Sequence, residues 1–257
     1  MNLVDINNHP FHEIRYRTSG RNGVRNNVLP FYRAKAYGLP IEITSFVVVS
    51  DLQGREVDKN NNRLVGEAVA EELSVLQELG EISNIDFVLL AGDLYDYPDL
   101  RKLGGTGDVT SVWNEFASRF KEVVGVMGNH DQIRESDLAD NVTLLDGDAI
   151  NISGIRIGGV SGIVGDEGRN QRKLEKTFRN YLDKACAGNA DIVVLHQGPD
   201  DPERGQKGAP MIREFFAKRN AGIVFFGHTY WQQPLMRLGK NDVLNVDSRL
   251  YLVEAVK

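Results

Sequence analysis

The sequence predicts an α/β protein, and three observations support this fold class. From about residue 45 onwards, short apolar runs rich in Val and Ile alternate with longer amphipathic segments. The apolar runs are continuous, which is typical of strands that are buried on both faces of a sheet. The longer segments place apolar residues three and four positions apart, as a helix with one buried face requires.

The predicted strands cover residues 45–51, 85–93, 123–131, 155–162, 191–198 and 222–230. Helices are predicted between them over residues 65–82, 109–122, 171–187 and 209–220. The stretch 242–256 predicts closing strands that pair antiparallel. No linker interrupts the chain after residue 45, so we expect residues 45–257 to form one domain.

Residues 1–44 differ from the rest because basic side chains outnumber acidic ones and turn-forming residues are frequent, as in "SGRNGVRNN". We interpret them as an N-terminal extension packed on the domain edge, with a hairpin as one arrangement.

Composition narrows the class of protein. With 257 residues and 41% hydrophobic content, the chain can bury a full core. Cys186 is the single cysteine, so no internal disulfide can form and a reducing compartment fits. Because neither a signal peptide nor a stretch of membrane-spanning length is evident, we expect a cytoplasmic protein without a membrane partner. The net charge of −6 makes a nucleic acid an unlikely general partner.

Polar side chains follow the apolar runs at the point where each run ends. These residues are Asp51 and Gln53, Asp93 and Asp96, Asn129 with His130 and Asp131, His196, and His228 with Tyr230. Because the carboxyl ends of strands in open α/β sheets line the ligand crevice, we expect these side chains to share one pocket. Any one of them alone would more often be a cap or turn residue. Three of the five histidines fall at strand ends, and that combination predicts a metal or catalytic site.

These clusters resemble the calcineurin-like metallophosphoesterase superfamily, whose pattern is D-x-H, G-D, G-N-H-[DE], a single His and G-H-x-H. The corresponding residues here read Asp51-Leu52-Gln53, Gly92-Asp93, Gly128-Asn129-His130-Asp131, His196 and Gly227-His228-Thr229-Tyr230. The resemblance runs from about residue 45 to the C-terminus. It implies a four-layer αββα sandwich, an α/β (α+β) fold of two mixed sheets flanked by helices. It also implies a binuclear metal centre that hydrolyses phosphoesters.

The resemblance implies a role for each position. Asp93 would be shared by two ions, and one of these would also be held by Asn129, His196 and His228. The other ion would be held by Asp51 and by the positions of Gln53 and Tyr230. His130, oriented by Asp131, would protonate the leaving group after attack by a metal-activated water. We expect substrate contacts from Asn129, His130 and Arg55. Arg55 is included because it closely follows the first motif, and a solvated surface arginine is the alternative interpretation of it. Mixed nitrogen and oxygen ligands suit Mn, Fe, Zn or Ni ions.

Two departures from the family pattern concern the same metal position, because Gln53 and Tyr230 replace imidazoles. Three alternatives stay open for this altered site. It binds a different metal such as Fe³⁺ through the phenolate of Tyr230, it binds the ordinary divalent ion more weakly, or it is empty. A substitute imidazole from His9 or His12 is a further alternative without independent support.

The leading functional hypothesis is metal-dependent hydrolysis of a small-molecule or nucleotide phosphoester, by a phosphatase or a phosphodiesterase. The rival hypothesis is a non-catalytic interaction or ligand-binding module with a degraded metal centre. The retained Asn129 and His130 favour the enzyme, because a decayed site has no need of them. A nuclease guided by the basic N-terminal residues is the third hypothesis.

Overall fold

The computed structural model describes residues 1–58 and 60–256. Its helices are Val65–Glu78 (α1), Thr110–Arg119 (α2), Glu175–Ala185 (α3) and Pro210–Phe216 (α4). Its strands are Asn2–Ile6 (β1), His12–Thr18 (β2), Arg25–Tyr37 (β3), Ser45–Val49 (β4), Arg55–Glu56 (β5), Ile85–Leu90 (β6), Gly107–Asp108 (β7), Val123–Gly125 (β8), Asp131–Gln132 (β9), Val142–Leu144 (β10), Asp148–Ile152 (β11), Ile155–Val160 (β12), Ile163–Val164 (β13), Arg172–Lys173 (β14), Ile192–Gln197 (β15), Ile223–Gly227 (β16), Leu235–Leu238 (β17), Asn241–Asn245 (β18) and Leu250–Ala255 (β19).

Two mixed sheets form the centre of the fold. The first follows the order β10-β8-β6-β4-β19-β3-β2-β5, with β1 also paired to β3. The second follows the order β11-β12-β15-β16-β18-β17. Within the first sheet β4, β6, β8 and β10 are parallel, and within the second β12, β15, β16 and β18 are parallel. The carboxyl ends of these strands supply the candidate site.

Alternate residues of each central strand enter different hydrophobic cores, which explains the continuous apolar runs in the sequence. In β4, Val47 and Val49 pack with the residues of α1 and α2, while Phe46 and Val48 face the second sheet. In β15, Val193 belongs to the core formed with α3 and α4. The layers are therefore helices, sheet, sheet and helices, which confirms the predicted four-layer arrangement.

The C-terminal stretch differs in detail from the prediction. β18 and β19 do not pair with each other but enter different sheets. Each is antiparallel to one neighbour, β17 and β4 respectively, and parallel to another. Residues 246–249 cross between the sheets, and an isolated bridge joins Ser50 to Asp247 there. This crossing brings Asp247 beside the end of β4.

Residues 1–44 contribute β1, β2 and β3 to the first sheet. β2 and β3 form an antiparallel hairpin, and β3 runs parallel to β19 over six paired positions from Phe31 to Ala36. Leu29 and Phe31 are fully buried in the core beneath α1 and α2. No helix among the described residues is long and apolar enough to cross a bilayer.

Candidate metal centre

The backbone at three of the predicted ligands adopts the left-handed conformation. The φ angles are 57° at Asp51, 56° at Asp93 and 67° at His228. Non-glycine residues rarely adopt this conformation, and such strain occurs most often at functional sites. All three residues lie just beyond the end of a strand, at the edge where the proposed ligands gather.

Glycines beside the ligands allow the loops to approach closely. A Cβ atom on Gly128 would collide with the main-chain nitrogen and carboxylate of Asp93. A Cβ atom on Gly227 would collide with Ser50 and with the carboxylate of Asp51. The glycines that precede Asn129 and His228 are therefore required by contact between neighbouring loops.

Asp93, His196 and His228 bring one potential ligand atom each to within 4.8 Å of one another. Oδ1 of Asn129, which adds a fourth residue to this cluster, and Nε2 of His196 itself are both buried and lack a hydrogen-bond partner. Buried polar atoms are nearly always paired, and two unpaired atoms beside a carboxylate and a second imidazole are suited to coordinate a cation. The residues present therefore fit a divalent transition metal ion.

The main chain fixes the orientation of His196. Its Nδ1 lies 2.9 Å from the carbonyl oxygen of Ala91, which can only accept a hydrogen bond, so Nδ1 carries the proton. In the neutral ring, Nε2 then has a free lone pair and lies 3.4 Å from Oδ2 of Asp93. A backbone carbonyl behind a histidine is a common support for a metal ligand.

Electrostatics differ between the two histidines. Burial lowers the pKa of His196, but the negative charge of the nearby Asp93 carboxylate outweighs it and raises the pKa to about 10. Burial and the neighbouring His196 lower the pKa of His228 to about 4. His228 is therefore neutral at physiological pH, while Asp93 draws positive charge to the position of His196.

Asp131 differs from its expected role of orienting His130. Its carboxylate accepts hydrogen bonds from the main-chain nitrogens of Asp93, Leu94 and Gly128, each at 2.8 Å. Nδ1 of His130 has no hydrogen-bond partner, and the main-chain nitrogen of His130 donates to Oδ1 of Asp93. Asp131 thus fastens the loops after β6 and β8 to each other.

The altered half of the centre contains Asp51 and Gln53. Oδ2 of Asp51 accepts hydrogen bonds from Oγ of Ser50 at 2.7 Å and from the main-chain nitrogen of His228 at 2.9 Å. Nε2 of Gln53 donates to Oδ2 of Asp93 at 3.1 Å. Gln53 therefore lies beside Asp93, where the resemblance places it, and its amide uses a donor rather than a lone pair there.

Tyr230 lies apart from this half. Its side chain is 61% exposed, and the guanidinium carbon of Arg249 lies 4.1 Å from the centre of its ring. Among the described residues, its hydroxyl makes no hydrogen bond to Asp51 or Asp93. Tyr230 as a ligand of the altered metal site stays a prediction, and in the structure its ring packs on the buried guanidinium of Arg249.

Arg55 and His12 are also engaged elsewhere. The guanidinium of Arg55 donates to the carbonyl oxygen of Asp96 through two nitrogens and to that of Asn62 through the third. This contact joins two loops and differs from the predicted phosphate contact. Nε2 of His12 lies 2.8 Å from a carboxylate oxygen of Glu72 in α1, so this spare imidazole is not at the centre.

The sequence analysis missed Asp247 and Asn170. Asp247 is buried, and its charge is the second cause, after burial, that raises the pKa of Asp51. It ends the run "VLNVD", so the strand-end signal used for the other ligands would have identified it. Asn170 donates to the carbonyl oxygens of Asn129 and Asp131 at 3.0 Å each, and no sequence pattern indicates this contact.

Comparison with known proteins gives a family and a fold. The family model described as calcineurin-like phosphoesterase matches residues 44–232. No curated protein sequence matches the chain. Among solved structures, the chain is similar to the protein TT1561 of Thermus thermophilus, with a TM-score of 0.57 and 15% identity over 80% of this chain and 90% of that chain.

Two other solved structures show weaker similarity. Phosphopantetheinyl hydrolase (PptH) from Mycobacterium tuberculosis has a TM-score of 0.45 and 15% identity over 79% of this chain and 88% of that chain. NAD nucleotidase (NadN) from Haemophilus influenzae has a TM-score of 0.40 and 14% identity over 82% of this chain and 44% of that chain. The family match extends over most of the chain and includes each strand end from Asp51 to His228, so the chain belongs to the calcineurin-like phosphoesterase family.

Proposed function

We propose that this protein hydrolyses phosphoester bonds of small molecules with the help of a divalent transition metal ion. Asp93, Asn129, His196 and His228 would hold the ion. The observation that carries the proposal is the pair of buried, unpartnered atoms, Oδ1 of Asn129 and Nε2 of His196, beside the Asp93, His196 and His228 cluster. An ion bound there would supply the Lewis acidity that activates water and polarises the phosphoryl group.

His130 is the proposed general acid. Its main-chain nitrogen donates a hydrogen bond to Oδ1 of Asp93 at 2.9 Å, so the backbone of His130 lies next to the proposed metal ligand Asp93. Its Nδ1 lacks a hydrogen-bond partner. A group that protonates a leaving oxygen contributes about 10²- to 10⁴-fold to the rate when that oxygen leaves poorly as an anion.

Arg172 is the proposed contact for the substrate phosphate, in place of Arg55. Its positive charge helps to lower the pKa of His228, which places it near the centre. Among the described residues, its guanidinium forms no ion pair with a carboxylate. A guanidinium that has no carboxylate partner can bind phosphate oxygens in a bidentate manner.

The altered half of the centre is proposed to bind an ion weakly or not at all. The amide of Gln53 donates to Asp93, and Tyr230 packs on Arg249, so neither supports a tightly held Fe³⁺ phenolate site. We therefore expect about one tightly bound ion per chain, measured by elemental analysis after gel filtration. A tyrosinate-to-iron absorption band in the iron-loaded protein would contradict this assignment.

The activity test uses protein stripped by a chelator and resupplied with Mn²⁺, Fe²⁺, Zn²⁺ or Ni²⁺. We expect hydrolysis of p-nitrophenyl phosphate or of bis(p-nitrophenyl) phosphate, and a loss of at least about 100-fold in the His196→Ala variant. His12→Ala is the matched control, because this histidine pairs with Glu72 away from the centre. A folded protein that turns over neither ester with any of these ions would refute the proposal.

The role of His130 can be separated from metal binding by the choice of leaving group. The His130→Ala variant should lose about 10²- to 10⁴-fold on an alkyl phosphate. It should lose much less on p-nitrophenyl phosphate, because p-nitrophenolate leaves without protonation. Equal losses on both substrates would assign His130 to binding instead of proton transfer.

A further inference from the structure

Tyr230 is an exposed aromatic side chain that is held in place by contacts of Arg249 and of the neighbouring Trp231. The neighbouring Trp231 is fully buried and donates from Nε1 to the carbonyl oxygen of Lys207 at 2.8 Å, which anchors this part of the chain. The guanidinium carbon of Arg249 lies 4.1 Å from the centre of the Tyr230 ring. A cation at this distance attracts the electron-rich face of the ring. Tyr230 is therefore positioned while 61% of it stays in solvent.

Arg249 is itself fixed. Its side chain is only 4% exposed, and it donates to Oδ1 of Asn245 at 3.2 Å and to the carbonyl oxygen of Trp231. Oδ1 of Asn245 also accepts the main-chain nitrogen of Trp231. These hydrogen bonds hold the guanidinium of Arg249 against the ring of Tyr230. One face of the ring therefore contacts Arg249, and the exposed surface of Tyr230 is the part that does not contact Arg249.

A groove of about 390 Å³ opens beside Tyr230. Its lining includes Tyr230, Thr229, Gln232, Lys207, Gln206 and Arg204. Thr229, which lines the groove, directly follows the proposed metal ligand His228 in the chain. The lining is polar apart from the tyrosine ring, and it offers amide and ammonium groups that suit a planar ring with hydrogen-bonding edges.

We propose that Tyr230 is a stacking platform for the base of a nucleotide substrate, and that the groove beside it binds the nucleoside portion. The proposal rests on the function proposed above and names its substrate class. Tyr230 follows His228 by two residues, so their Cα atoms are at most about 7 Å apart. A ribose can bridge this separation between a phosphate at the centre and a base on the ring. Hydrolysis would then add water to a nucleoside monophosphate and release the nucleoside and phosphate.

The test compares AMP with ribose 5-phosphate, which has the same phosphate and sugar but no base. We expect a higher kcat/KM for AMP, because stacking of one base on an aromatic side chain contributes about 1–3 kcal/mol, or about 5- to 150-fold. Tyr230→Ala should lower the ratio of the two kcat/KM values by that factor. Tyr230→Phe should keep both the ratio and the metal content, since the ring remains.

Tyr37→Ala is the matched control variant. Tyr37 is 62% exposed on β3, which makes it the counterpart of Tyr230 in residue type and exposure. The proposal is overturned if Tyr230→Ala changes the ratio no more than Tyr37→Ala does. It is also overturned if Tyr230→Phe loses a bound ion, because Tyr230 would then be a metal ligand.

Failure of this proposal can be distinguished from failure of the proposed function. If the protein hydrolyses AMP and ribose 5-phosphate equally well, the stacking proposal falls and the hydrolase stands. If neither is hydrolysed, the stacking proposal is tested by binding instead, through calorimetric titration with AMP and with ribose 5-phosphate in the presence of Mn²⁺. Tighter binding of AMP that depends on Tyr230 would then support the platform, and equal binding would overturn it.

Discussion

At the residue scale, the two halves of the centre differ in the lone pairs that they leave free. Oδ1 of Asn129 and Nε2 of His196 have no partner. Gln53, by contrast, directs its amide nitrogen to Oδ2 of Asp93, and Oδ2 of Asp51 already accepts two hydrogen bonds. Because a metal ligand must offer a free lone pair, we expect the half with Gln53 to hold a cation less tightly than the half with Asn129 and His196.

Gln53→His should strengthen cation binding in the altered half. The imidazole replaces a neutral amide oxygen with a nitrogen lone pair beside Asp93. We expect the second ion to bind at least about tenfold more tightly, a change of ~1.4 kcal/mol. Titration of chelator-treated protein with Mn²⁺, followed by elemental analysis, measures both ions.

Gln132→His is the control for this variant, since it adds an imidazole at an exposed position outside the proposed ligand set. An unchanged stoichiometry and affinity in Gln53→His would mean that Gln53 is not at a cation position.

At the element scale, the positions of the loops after β6 and β8 depend on each other, because Gly128 packs directly against Asp93. Gly128→Ala would force the new methyl group into the carboxylate and main chain of Asp93. We expect a loss of about 1–3 kcal/mol in the free energy of unfolding, or roughly 2–12 °C in Tm for a domain of this size. Bound metal should fall as well, because Asp93 must move.

Gly168→Ala is the appropriate comparison. Gly168 is exposed, and the nearest atom to a Cβ there is a carboxylate oxygen of Asp166 at 3.4 Å. Its free energy of unfolding should change by no more than the ~0.5 kcal/mol typical of surface positions. Similar thermal shifts in both variants, with metal content retained, would argue against close contact between the two loops.

The sequence predicted those features that depend on local pattern. The strands that bear Asp93, His196 and His228 were identified because a buried strand requires a continuous apolar run, and polar residues at its end are visible in the sequence. The position of Tyr230 could not be predicted, because it depends on Arg249, which lies nineteen residues further along the chain and packs against it only after folding. The contacts of Arg55 could not be predicted either, because its partners are main-chain carbonyl oxygens, which no residue pattern reveals.

At the scale of the whole molecule, the first sheet depends on the N-terminal residues. β19 lies between β4 and β3, and β3 is its parallel partner over six residues. Leu3, Leu29 and Phe31 are buried, with Leu29 and Phe31 in the core under α1 and α2 and Leu3 in the core between the sheets. The residues interpreted from sequence as an extension therefore contribute to both cores of the first sheet.

A chain that begins at residue 45 should fail to fold cooperatively. It would lose Leu3, Leu29 and Phe31 among its buried side chains, each worth about 2–5 kcal/mol, and it would expose the edge of β19. The sum is comparable to the ~5–15 kcal/mol that stabilises a typical domain. Thermal unfolding followed by circular dichroism, together with gel filtration, should show no cooperative transition and a tendency to aggregate. A transition within a few degrees of that of the full chain would show that residues 1–44 are dispensable.

This dependence determines how the nuclease hypothesis must be tested. Deleting the N-terminal residues would abolish nucleic acid binding by unfolding the domain, whatever their role. The full-length double variant Arg15→Ala, Arg21→Ala removes two exposed charges and leaves the buried residues of β2 and β3 in place. If the segment contacts phosphates, this variant should reduce the salt dependence of binding by about two units of slope. An unchanged slope, with Tm retained, would assign these arginines to the solvated surface and the segment to the sheet alone.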